Sequence, residues 1–115
     1  ADALAAPAYV ALVAARAAMI EAVGAKVAGL DALLWPTVPF VAPTIATLAD
    51  DYTYYATNAL ALRNSTVANL LDGCAISIPC STDGPPVGLT LAALSGRDDH
   101  LLSVSATVQT VLKGG

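Results

Sequence analysis

The apolar positions fall into two rhythms. Over residues 8–29, Tyr9, Leu12, Val13, Ile20, Val23 and Val27 recur at three- and four-residue steps, which predicts one amphipathic helix. Pro7 suits its first turn and Gly29 its C-terminal cap. Arg16, Glu21 and Lys26 lie mostly off the stripe. Residues 32–35 are a short apolar run stopped by Pro36, which predicts a buried strand. Prolines then recur through residues 37–44, so an extended, ordered loop is expected there. Asp50 and Asp51 open a second helix over about residues 52–71, as N-cap and first-turn residues. Tyr55, Ala59, Leu62, Thr66 and Asn69 share one face of it, and Leu60, Val67 and Leu71 another. A helix that is apolar on more than one side belongs inside a larger body.

Gly73 and Cys74 break that helix, and residues 75–79 read as a second short strand. Residues 81–86, beginning at Ser81 and rich in glycine and proline, are turn chemistry. Residues 87–93 form a third strand with imperfect alternation, and residues 95–99 a loop and helix start. The last helix carries Leu101, Val104, Val108 and Val111 on one face, and Gly114 and Gly115 end it. The order helix, strand, helix, strand, strand, helix predicts an α/β layer with a narrow sheet. There are no repeats and no low-complexity linker.

Composition makes the narrow sheet a problem. The chain has 115 residues, room for one domain at most. Apolar residues are 57% and charged residues 12%, where about 25% charged is usual. The mean hydropathy is +0.67. Disorder is excluded, because disordered chains are poor in apolar residues. A membrane span is disfavoured: Asp2, Arg16, Glu21 and Lys26 interrupt the first apolar stretch, and Pro36, Pro39 and Pro43 the second. No basic segment precedes an apolar one as in a signal peptide. The expectation is a segment that buries an extra face against protein outside it. The net charge is −4, and the five basic residues do not cluster, which argues against nucleic acid and anionic membranes as partners. Cys74 and Cys80 lie too far apart along one strand to bridge, about 20 Å. A single histidine and no Cys-x-x-Cys pair leave no metal pattern, and no cofactor is implied. A reducing, cytoplasmic setting is expected.

Few residues offer chemistry. There is no nucleophile elbow, P-loop or dinucleotide fingerprint. The segment 84–88 is too proline-blocked to cradle phosphate through backbone N–H groups. His100, beside Asp99, reads as structural or solvated. Arg63 sits mid-helix among apolar neighbours. It requires a partner, either Asp72 or a carboxylate from outside the chain, and it could support a site instead. Thr37 and Cys80 lie just past the ends of the first and second strands, where α/β sheets commonly face a ligand. Thr37 lines a pocket or caps its own loop. Cys80 is a pocket wall or inert packing, because no sequence neighbour would depress its thiol pKa. Cys74 packs behind its strand.

Three blocks together resemble the amidase signature family. They are Asp31-Ala-Leu-Leu-Trp-Pro-Thr37; Arg63-Asn-Ser-Thr-Val-Ala-Asn69-Leu-Leu-Asp72 with residues 75–79; and Pro86-Val-Gly-Leu89 with Asp98-Asp-His-Leu-Leu102. Their order and spacing are similar to the C-terminal region of that family, over roughly residues 8–112. The resemblance implies a slice of a large mixed sheet flanked by helices. It also implies a parent serine hydrolase of carboxylic amides, with a serine nucleophile, a second serine in cis-peptide geometry and a lysine base. Those groups belong to a Gly/Ser-rich stretch that is not in this sequence, and Lys26 and Lys113 stand in other contexts. The resemblance therefore assigns no catalytic residue here. It leaves Thr37 and Cys80 as substrate-pocket wall, and Arg63, Asn69 and Asp72 as structural support. Cys74 stands where proline is more usual, and Ser81 where glycine is. The expected partners are an amide substrate in the complete enzyme, the missing N-terminal part or another chain, and further copies of itself. The alternative is a free-standing α/β binding or oligomerisation module derived from the same region.

Overall fold

A computed structural model describes residues 4–80 and 83–113. Asp2, Ser81 with the start of its turn, and the terminal Gly114 and Gly115 lie outside the described residues. The elements are α1 (Ala6–Val27), β1 (Leu33–Pro36), a 3₁₀ turn (Ile45–Leu48), α2 (Asp51–Leu70), β2 (Cys74–Pro79), β3 (Gly88–Ala93) and α3 (Asp98–Lys113). The α/β order expected from the hydropathy pattern is the observed one. The 3₁₀ turn was not foreseen. It follows the proline loop and is closed by Thr47 N donating to Thr44 O at 3.0 Å.

Both ends of α2 are explained by side chains. At its start the Asp50 carboxylate accepts the Thr53 N–H at 2.9 Å. That bond, seconded by the Thr53 hydroxyl, holds the Asp50 carboxyl below the ordinary aspartate value. At its end Asp72 takes a left-handed φ of +55°. Asp72 N donates to Asn69 O and Gly73 N to Ala68 O, the paired bonds of a Schellman cap. Arg16, from the middle of α1, also reaches this helix end: Nε donates to Leu70 O at 2.8 Å, and Nη2 donates at 3.0 Å to Asn69 O, which Asp72 N already uses. Its guanidinium also lies 3.7 Å from Asp72 Oδ1. One side chain thus ties α1 to the end of α2. Among the described residues, α1 is long and apolar enough to cross a membrane by length and composition, yet its central Arg16 is committed to this contact.

The three strands form one sheet in the order β1-β3-β2, antiparallel throughout. Alternation sorts the side chains onto two faces. On one face Leu91, Ile78 and the α3 residue Leu101 make the buried cluster, with Cys74, Ile76 and Leu89 packed around it. Cys74 therefore lies under α3, and its thiol reaches toward the carbonyls of Ala93 and Leu94 at 3.8 Å. The other face carries the directly paired Ser77 and Thr90, with Trp35 opposite Thr90 from β1.

The expectation of a buried first strand needs correction. Leu34 is 56% exposed, because α3 packs on β2 and β3 and leaves β1 bare on that side. The α3 stripe also runs out: Leu101 is buried and Val104 and Val108 half-buried, but Val111 is in solvent. The body is a slab of 52 × 45 × 18 Å. Its radius of gyration is 17.5 Å, where a compact chain of this length has about 13 Å.

Candidate functional site

The polar face of the sheet gathers three hydroxyls. Thr37 Oγ1 lies 2.6 Å from Ser77 Oγ and 2.8 Å from Thr90 Oγ1. Ser77 and Thr90 come together because they are cross-strand partners on β2 and β3. Thr37 joins them as the chain leaves β1, its N–H donating to Gly88 O at 2.8 Å. Gly88 makes the room: a Cβ there would stand 2.7 Å from both Thr37 Oγ1 and Ser77 Oγ. Three hydroxyl protons serve two hydrogen bonds, so one O–H is left to donate elsewhere. The cluster borders a cavity of about 340 Å³ between this face and α2, with Ser65 and Asn69 on the helix side. No ionisable side chain lines it. The arrangement can hold a carbonyl, hydroxyl or amide by hydrogen bonds. It offers no general base for proton transfer.

The structure separates the residues expected to act together. Thr37 and Asn69 line the hydroxyl cavity. Cys80 is exposed outside it, and its thiol donates to Val87 O at 3.4 Å. Arg63 is exposed too, with Nε donating to Asn64 Oδ1 at 3.2 Å. Asn64 Nδ2 in turn donates to Pro36 O at 2.7 Å, which pins the residue before Thr37 to α2. Asp72 faces Arg16 rather than Arg63. His100 Nε2 is enclosed 3.3 Å from Asp31 Oδ1, near enough for an ion pair when the ring is protonated but not aligned as a hydrogen bond.

Sequence reasoning passed over Ser77, Thr90 and Asn64. The signal for the first two was present. Each is a single hydroxyl residue flanked by apolar neighbours in a short strand, and alternation puts both on the face away from the core. Asn64 gave no such signal, because its partner lies 28 residues away.

A second cleft of about 340 Å³ lies between the proline loop and α2. Val38, Phe40, Pro43, Leu48, Ala61 and Pro86 supply its apolar wall. Tyr54, Thr57 and Asn58 supply polar groups on successive positions of one α2 face. It holds no charged residue.

Fold and site together define a small α/β layer with two uncharged clefts over one helix. The Amidase family model matches residues 2–102. The chain belongs to the amidase family. It is 32% identical to a 2-amino-5-chloromuconic acid deaminase of Comamonas testosteroni, over 87% of this chain and 23% of that protein. It is 40% identical to a glutamyl-tRNA(Gln) amidotransferase subunit of Salinispora tropica, over 72% of this chain and 16% of that protein. It is 30% identical to an indoleacetamide hydrolase of Allorhizobium ampelinum, over 76% of this chain and 20% of that protein. The chain therefore spans less than a quarter of the length of these curated relatives. No solved structure matches it.

Proposed function

We propose that the chain is the C-terminal part of an amidase signature hydrolase that cleaves carboxylic amide C–N bonds. In the parent enzyme a serine hydroxyl, deprotonated through the lysine base, adds to the amide carbonyl. The tetrahedral oxyanion collapses, the amine leaves with a proton, and water then releases the acid from the acyl-serine. This segment contributes sheet, helix packing and the Thr37 side of the pocket, and none of the reacting groups. We place the parent in a reducing, cytoplasmic setting, a reading that the free thiols of Cys74 and Cys80 suit.

The observation that carries the proposal is the bare slab. A family match over residues 2–102 coincides with a body exposing 8109 Å², where a compact chain of this mass exposes about 5,800 Å². A layer with that much uncovered surface is what one part of a larger sheet looks like when taken alone. The purified 115-residue chain is expected to turn over no carboxamide. Hydrolysis of any simple amide by it, abolished by a serine-directed phosphonate, would refute the assignment. The genomic reading frame upstream is expected to encode a Gly/Ser-rich stretch and a lysine-bearing helix.

A further inference from the structure

We infer that α1 is a hinged arm held by an arginine latch: Arg16 grips the last carbonyls of α2, and the chain pivots at Gly29. The inference goes beyond the amidase reading and does not rest on it.

Burial divides α1 into two halves. No residue of the helix is fully buried. Its half-covered positions, Met19, Ile20, Val23, Gly24 and Val27, all lie C-terminal to Arg16, and positions 6–18 are exposed throughout. Even the covered half rests loosely. A Cβ on Gly24 would meet only Leu94 Cδ1, at 3.4 Å, and a cavity of about 80 Å³ remains beside Val27 and Leu94. Packing therefore holds the direction of the helix weakly, and a directional contact has to fix it.

Arg16 supplies that contact. Nε and Nη2 reach Leu70 O and Asn69 O at 2.8 and 3.0 Å. These carbonyls belong to the last turn of α2, where the helix dipole favours a cation. The planar guanidinium meets both with one rigid fork. Asp72 Oδ1 at 3.7 Å adds little, because both side chains are solvated. The pivot is equally local. Gly29 has φ +86° with open space where a Cβ would stand. Just beyond it, Arg97 Nη1 donates to Leu30 O at 3.2 Å and pins the chain ahead of α3. The turn bond from Leu30 N to Val27 O, 3.0 Å, spans the pivot. A swing of the arm thus breaks that bond and the two at Arg16. The latch lies wholly within this chain, so it aims α1 before other protein meets it.

Single-molecule energy transfer in the 115-residue chain tests this, at a dilution where copies do not meet. One dye pair, on Ala8→Cys and Thr107→Cys, reads the arm against α3. A second, on Leu34→Cys and Thr107→Cys, reads the body beyond the pivot. Both sit in a Cys74→Ala/Cys80→Ser background. Arg16→Ala is expected to raise the swung-out population about fivefold or more, shifting and broadening the first signal while the second stays put. Arg16→Lys keeps the charge without the fork and should fall between the two. Asp72→Asn should match wild type. An unchanged first signal in Arg16→Ala would overturn the inference. So would a change in both signals, which would mean that Arg16 holds the whole body and not an arm. Opening by Asp72→Asn as large as that by Arg16→Ala would also overturn it, because the grip would then be an ion pair.

Discussion

At the scale of single residues, the turn from α2 into β2 concentrates the constraint. A Cβ on Gly73 would stand 2.5 Å from the Ala93 carbonyl oxygen, which is sheet backbone and cannot move aside cheaply. Gly73→Ala is therefore expected to cost about 1–3 kcal/mol. Gly24→Ala, whose Cβ meets only Leu94 Cδ1 at 3.4 Å inside α1, should be neutral or mildly stabilising. The residue preceding Gly73 runs the other way. Asp72 holds a left-handed backbone that glycine adopts without cost, and its return is a long, solvent-exposed contact to Arg16. Exposed pairs contribute little, so the backbone term wins, and Asp72→Gly is expected to stabilise by about 0.5–1 kcal/mol. Urea unfolding midpoints check all three substitutions. In the hydroxyl cluster, Thr37 makes both hydrogen bonds and Ser77 only one. Thr37→Val strands the buried Thr90 hydroxyl and should cost more than Ser77→Ala, each within about 0.5–3 kcal/mol. Equal effects on the melting temperature would mean that Thr37 is not the centre of the cluster.

At the scale of elements, the helices test how far local chemistry governs the fold. The Asp50 carboxyl is held below its ordinary pKa by the Thr53 N–H at the start of α2. A depressed carboxylate contributes stability above its unfolded pKa, near 3.8, and loses it as pH falls through the lower folded value. Asp50→Ala should therefore lower the melting temperature at neutral pH, and the difference from wild type should shrink in strong acid. A penalty that stays constant down to acid pH would show that the carboxylate is not the cap. This cap was legible in the sequence, as were all six main elements, because each announces itself within a few residues: Asp50 before an apolar run, Pro7 and Gly29 around α1, Gly73 after α2. The exposed flank of β1 was not legible. Whether residues 32–35 are covered depends on where α3 lands, and α3 lies more than 60 residues further along. Of the hydroxyl cavity's lining, Thr37 stood out in the sequence from its place at a strand end, while Asn69 entered only as structural support through the family resemblance. The pairing of Asp72 with Arg16 was hidden, because a separation of more than 50 residues leaves no local trace. The open clefts were hidden for the same reason.

At the scale of the whole molecule, the surface excess sets a quantitative expectation. The chain exposes about 2,300 Å² more than a compact monomer of its mass. Part of the exposed apolar surface lies on the N-terminal half of α1, where Tyr9, Leu12 and Val13 are each more than half exposed. A standard dimer interface hides only about 800 Å² per partner. One such contact would cover about a third of the excess. The edges of β1 and β2 add unpaired backbone that invites further strands. The isolated chain should therefore associate into a broad distribution rather than a defined dimer, as read by light scattering over a range of concentrations. Leu12→Glu combined with Val13→Lys should narrow that distribution without closing it, because the sheet edges remain open. On the proposed amidase reading, joining the chain to the upstream sequence that this reading expects should give a single, discrete species. A sharp dimer would instead favour the free-standing module, since two copies would then suffice to satisfy the slab. A well-behaved monomer at high concentration would contradict both, because no protein surface would then be needed to cover the stripe on α1.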